Sequence, residues 1–191
     1  MTALFTAVLA FGALAGCTGN TTGGSPTTAD QTGAGQTSSA STSSESPSGL
    51  SLAKYVSKPC DTLKPDQVAT LGAVRQGEVG TDVLGPLCTW RGQDPIKNST
   101  YDVSVTEGKD FESRVEGVKT NGVFIDKKID GVRVVSTDGT DGAMYCLTMI
   151  QVSKTDSVTV QIAGATDERA TKKPCPETER VAQLIITNLK G

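Results

Sequence analysis

The chain has 191 residues, with 18 Lys plus Arg against 21 Asp plus Glu and no histidine. A net charge of −3 with no strongly basic patch gives nucleic-acid binding no electrostatic support. The missing histidine removes Ser-His-Asp and Cys-His catalysis, H-E-x-x-H metal sites and imidazole acid–base chemistry in one step.

Residues 3–13, ALFTAVLAFGA, form an uncharged apolar run of signal-peptide length. A permanent span needs about 20 apolar residues, so this run is too short to be a good one. Leu14-Ala15-Gly16-Cys17 follows and looks like the lipobox of bacterial lipoproteins. Residues 1–16 are expected to be a lipoprotein signal peptide, cleaved before Cys17, with the Cys17 thiol carrying diacylglycerol. Two or three acyl chains on one residue hold a protein at a membrane where a single chain does not. The expected location is the outer face of the cytoplasmic membrane, with the membrane itself as first partner through the lipid anchor. Two features complicate this reading. Ala13-Leu14-Ala15 also fits the A-x-A rule for plain secretion, and the usual Lys or Arg ahead of the run is missing, which points to a start further upstream or a shortened N-terminus.

Of the 33 residues 18–50, 22 are Ser, Thr or Gly, two are acidic and none is basic or aromatic. Such a segment cannot bury enough apolar surface to offset its ordering entropy. With Cys17 it is expected to form a disordered tether over 17–50, averaging about 30 Å end to end and reaching roughly 110 Å when stretched. Tracts of this composition also accept O-linked sugars, although a plain spacer is the simpler reading.

The remaining residues, 51–191, are expected to form a single domain of ordinary size. Pro65, Asp66 and Gly72 bracket a short helix carrying Val68 and Leu71. The stretches LCTWRG and TYDVSVTE read as strands, the second with Tyr101, Val103 and Val105 on one side. Phe111, Val115 and Val118 stand at helical spacing in a segment that ends near Asn121-Gly122. Asp130-Gly131 between VFIDKKI and VRVVST signals a hairpin. AMYCLTMIQVS and SVTVQIAG are two further strands joined by the polar turn Lys154-Thr155-Asp156. A closing amphipathic helix starts at Pro176, with Val181, Leu184, Ile185 and Leu189 on one face. The expected fold is α+β: a mostly antiparallel sheet of about five strands, with helices at both ends and one between strands.

Apart from Cys17, the chain holds Cys60, Cys88, Cys146 and Cys175. An even number in an exported chain reads as two disulfides. Three pairings are possible; Cys60–Cys88 with Cys146–Cys175 is favoured because each joins cysteines about 30 residues apart and staples a terminal helix to a nearby strand. A four-cysteine zinc site would need close C-x₂₋₄-C pairs, and none is present.

Pro59-Cys60-Asp61-Thr62-Leu63, Pro65, Leu71-Gly72, Cys88-Thr89-Trp90, a strand cysteine at Cys146 and a helix-start cysteine at Cys175 resemble the DUF3558 lipoproteins of actinobacteria. The resemblance covers roughly residues 55–190 plus the export signal. It implies the envelope compartment and the α+β architecture and brings no assigned chemistry. Thr62 departs from the family pattern, where a second hydrophobic or small residue is common.

Few residues invite a catalytic reading. Ser51-Leu52-Ala53-Lys54 matches S-x-x-K, but no S-D-N or K-T-G element follows. Asp138 and Asp141 are three apart where a calcium loop alternates its ligands, so a glycine-rich turn explains them better. Asp126 and Asp130 flank Lys127-Lys128 as a self-compensating surface. Trp90, two residues from Cys88, is expected either to pack over a disulfide in the core or to stack a ligand. No catalytic residue, metal or cofactor is expected. The function expected is non-enzymatic binding of an envelope small molecule, a lipid or a membrane protein partner. The alternatives are a structural or assembly accessory and a histidine-free cell-wall hydrolase using carboxylates.

Overall fold

The computed structural model describes residues 49–191, so the signal peptide, Cys17 and the tether up to residue 48 lie outside the described residues. Leu50, assigned to the tether from sequence, is only 5 % exposed and joins Leu52 and Tyr55 in the core. The domain therefore begins slightly earlier than its composition suggests.

Seven strands build one sheet: β1 (Glu78–Thr81), β2 (Pro86–Trp90), β3 (Thr100–Thr106), β4 (Val123–Ile129), β5 (Val132–Asp138), β6 (Tyr145–Gln151) and β7 (Ser157–Ala163). Their spatial order is β1-β2-β3-β7-β6-β5-β4, and every neighbouring pair is antiparallel. The α+β class stands, but about five strands becomes seven. The strand most hidden from sequence is β1, whose four residues EVGT are all exposed and show no alternation. It exists because its backbone completes the ladder of β2 at the sheet edge. At the opposite edge, β4 and β5 turn on Asp130 (φ 50°) and Gly131 (φ 83°), both left-handed as a two-residue hairpin requires.

Three helices accompany the sheet: α1 (Pro65–Val68), α2 (Phe111–Glu116) and α3 (Pro174–Leu189). The Asp110 carboxylate caps α2 by accepting from the Ser113 amide at 2.8 Å. This helix stops five residues before Asn121-Gly122. Gly117, the β-branched Val118 and Thr120 disfavour another turn, and 3₁₀-type bonds take over. By contrast α3 starts two residues before Pro176. Pro174 and Pro176 both sit in its first turn, where a missing N–H costs nothing.

One face of the sheet lies under α3. Cys88, Val103 and Val160 align there in register, as do Trp90, Tyr101, Ile162 and Cys146. Val181, Ala182, Ile185 and Ile186 of α3 close over them, each at 0 % exposure. A polar seam crosses this apolar layer without leaving an open bond. Ser136 and Thr148 share a hydrogen bond at 2.9 Å, Thr148 shares another with Thr178 at 2.8 Å, and Ser136 donates to Glu179 at 2.9 Å.

Disulfides staple both ends of this layer. Cys60, in a 3₁₀ turn over Pro59–Thr62, bonds to Cys88 of β2, and Cys146 of β6 bonds to Cys175 in the first turn of α3. Trp90 is 2 % exposed and belongs to this core. Gly77 packs so closely that a Cβ there would stand 2.8 Å from both Cys88 Sγ and Trp90 Nε1. At 2 % exposure the indole leaves no face open to a stacked ligand.

Candidate functional site

The opposite face of the sheet is only half covered. Phe111 and Val115 of α2 pack on Val135 of β5 and Met149 of β6, with Phe124 and Leu147 at the margin. The antiparallel register then lines up Thr89, Asp102, Gln161, Leu147 and Thr137 across β2, β3, β7, β6 and β5. Thr89 donates to the Asp102 carboxylate at 2.6 Å. On the α2 side of that row, Ser104 donates to Asp82 at 2.7 Å, while Arg114 reaches from α2 to Ser157 at 2.5 Å and Thr159 at 2.9 Å. Burial lowers the pKa of the Arg114 guanidinium, and the Asp82 charge only partly opposes that effect.

At the far end of the row lies a cavity of about 170 Å³, lined by Asn121, Thr137, Asp138, Tyr145, Leu147 and Gln161. Asn121 donates to Thr137 at 2.9 Å, which fixes one wall. Tyr145, 49 % exposed, forms the outer lip. Larger depressions lie elsewhere. One of about 540 Å³ lies at the C-terminal end of α3, one of about 390 Å³ at the β4–β5 turn and one of about 430 Å³ at the start of α3. All are open to solvent and edged by charged side chains, so none has the form of an enclosed apolar lipid pocket.

The family model described as "Protein of unknown function (DUF3558)" matches residues 12–188. The chain belongs to the DUF3558 family. No curated protein and no solved structure matches it.

In this DUF3558 domain the residues singled out from sequence do not converge on one place. The four cysteines and Trp90 lie on the α3 face, away from the open strip. Lys54 borders the 540 Å³ depression, whose lining does not include Ser51. Asp138 is occupied by its own turn, accepting from the Thr140 amide and hydroxyl and the Gly142 amide. Asp126 pairs with Arg133 across the hairpin and Lys127 with Glu179 of α3, so these charges are compensated by more distant residues. Among the described residues no cluster of three metal-ligating side chains occurs, and no helix is long and apolar enough to cross a membrane.

The shifted carboxylates all move in one direction. Arg133 holds Asp126 below its ordinary value against the cost of burial. Burial opposes the charge of Glu177, yet hydrogen bonds from Arg180 and Tyr101 outweigh it and lower its pKa. Glu168 behaves likewise, with Ser99 and Lys172 as partners. These groups are held as anions, whereas a glycosidase general acid must stay protonated.

Sequence reasoning missed Arg114, Asn121, Tyr145 and Gln161. The available signal was indirect. Tyr145 precedes a buried strand cysteine, so it must face away from that cysteine's side of the sheet.

Proposed function

We propose that this chain is a lipid-anchored binding module on the outer face of the cytoplasmic membrane, and that the open strip of its sheet is the ligand site. The carrying observation is the register row Thr89–Asp102–Gln161–Leu147–Thr137, which ends in the Asn121/Tyr145 cavity. Thr89 and Thr137 are buried at the two ends of the row, and what faces solvent is the Gln161 amide and the half-buried Asp102 carboxylate beside the Tyr145 ring, which suit a small polar envelope molecule rather than an acyl chain. The anchor reading is supported by the Leu14-Ala15-Gly16-Cys17 pattern and by a family match that begins at residue 12 and so includes Cys17. It also agrees with the actinobacterial lipoproteins that the sequence resembles.

One observation favours the accessory reading instead. The β1 edge exposes Val79 at 68 %, and the adjoining turn exposes Val83 at 86 %, an unpaired edge that a partner strand could extend. Native mass spectrometry of the chain after incubation with a detergent extract of the producing cell's envelope separates the two. A discrete adduct that Tyr145→Ala and Gln161→Ala remove is the expected result. A bare mass in repeated extracts would sink the small-molecule reading and move the weight to β1. The mass of the chain recovered from membranes checks acylation at Cys17 separately.

A further inference from the structure

The 540 Å³ depression is lined by Lys54, Tyr55, Ser57, Lys58, Asp61, Lys64, Asn188 and Gly191. Its three lysines are exposed, face a single carboxylate side chain, and have no ion-pair partner among the described residues. Four lysines elsewhere, Lys97, Lys119, Lys127 and Lys172, are each paired with an acid. Local backbone holds the cluster in place. The Ser51 amide donates to the Leu189 carbonyl at 3.4 Å, the Tyr55 hydroxyl to the Asn188 carbonyl at 2.9 Å, and the Asn188 side chain to the Thr62 carbonyl at 2.9 Å. The positive depression therefore sits where the N-terminal segment joins the domain.

We propose that Lys54, Lys58 and Lys64 form a docking surface for anionic lipid headgroups, seating the domain on the membrane at the root of its own tether. The proposal rests on the reading of Cys17 as the membrane anchor. Each lysine near an anionic leaflet contributes about a fivefold preference, so three give roughly a hundredfold, less the opposing effects of Asp61 and of the Gly191 carboxylate. That is too weak to draw a free chain from solution. A tether keeps the domain at an effective concentration of about 1 mM, where such a contact is populated. Screening by salt then makes docking reversible. The docked state lays the domain down at its tethered end, and the undocked state releases it to the full reach of the tether.

The test supplies the anchor chemically. Cys17 is the one cysteine outside the two disulfides, so residues 17–191, which keep every described residue, can be coupled through it to maleimide-lipid vesicles. Acylation of lysines by an amine-reactive ester is read by peptide mass spectrometry on phosphatidylcholine vesicles with and without phosphatidylglycerol. Expected is about fivefold slower labelling of Lys54, Lys58 and Lys64 on the anionic vesicles, lost in high salt, with Lys119 on the opposite side unchanged. K54Q/K58Q/K64Q should also lose protection of the 51–62 amides from hydrogen exchange. Equal labelling on both vesicles, equal slowing at Lys119, or protection by inorganic phosphate on neutral vesicles would each overturn the proposal. Because the linkage is made in vitro, such a failure would leave the anchor reading untouched; that reading fails only if Cys17 leaves the cell unacylated.

Discussion

The two faces of the sheet use the same strands for different ends. Under α3 the inward side chains are apolar or cystine, two disulfides staple the layer, and its buried hydroxyls find partners. On the reverse, a helix of six residues covers part of the sheet and leaves Gln161 and Tyr145 exposed, with Asp102 and Leu147 half-buried beside them. Alternation along a strand allows this, since each residue commits its side chain to one face only. Stability is concentrated on the closed face, so residues on the open one are free to meet a ligand at little cost to folding.

Trp90→Ala tests the closed face most severely: it should cost about 3–5 kcal/mol in denaturant unfolding. A variant that melts like the parent would mean the indole carries none of that face. Replacing Cys146 and Cys175 together by alanine comes next. Their bridge spans 29 residues, and opening it should cost about 3–4 kcal/mol.

A smaller effect is expected from pH. Glu177 accepts from Tyr101 at 2.9 Å and from Arg180 at 2.7 Å, and its pKa lies below the ordinary glutamate value. Burial, followed by the Glu177 charge, keeps the Tyr101 hydroxyl protonated far above its usual range. The unfolded chain takes up the Glu177 proton more readily than the folded one. This contribution is therefore complete above the unfolded pKa and fades as pH falls through the lower folded value. Stability of Glu177→Gln, followed by thermal melts below about pH 4, should decline less steeply than that of the parent. The smallest change in folding belongs to the open strip. Tyr145→Ala and Gln161→Ala should each stay within about 0.5 kcal/mol of the parent while weakening ligand capture. A large destabilisation would mean that the strip is structural after all.

The closed face was far more legible in the sequence than the open one. Tyr101, Val103 and Val105 alternate as a half-buried strand must, and all three are at 0 % exposure. The closing helix was visible in Val181, Ile185 and Leu189 for the same reason. Strand β1 was not, because EVGT carries no apolar period and owes its conformation to hydrogen bonds from β2. Nor was the open strip. Thr89, Asp102 and Gln161 look like ordinary outward-facing residues, and only the register that joins three separate strands makes them neighbours.

The Cys60–Cys88 bond also bears on what happens when the domain is pulled. A load applied at Gly49 first meets the Ser51–Leu189 hydrogen bond and then the buried Leu52 and Tyr55. Peeling can proceed only through Pro59, because the next residue is covalently joined to strand β2. At about 3.5 Å per residue, that releases roughly 35 Å of slack. Beyond it, tension passes through sulfur into the sheet, so the first ten residues of the domain act as a shock absorber with a fixed stop.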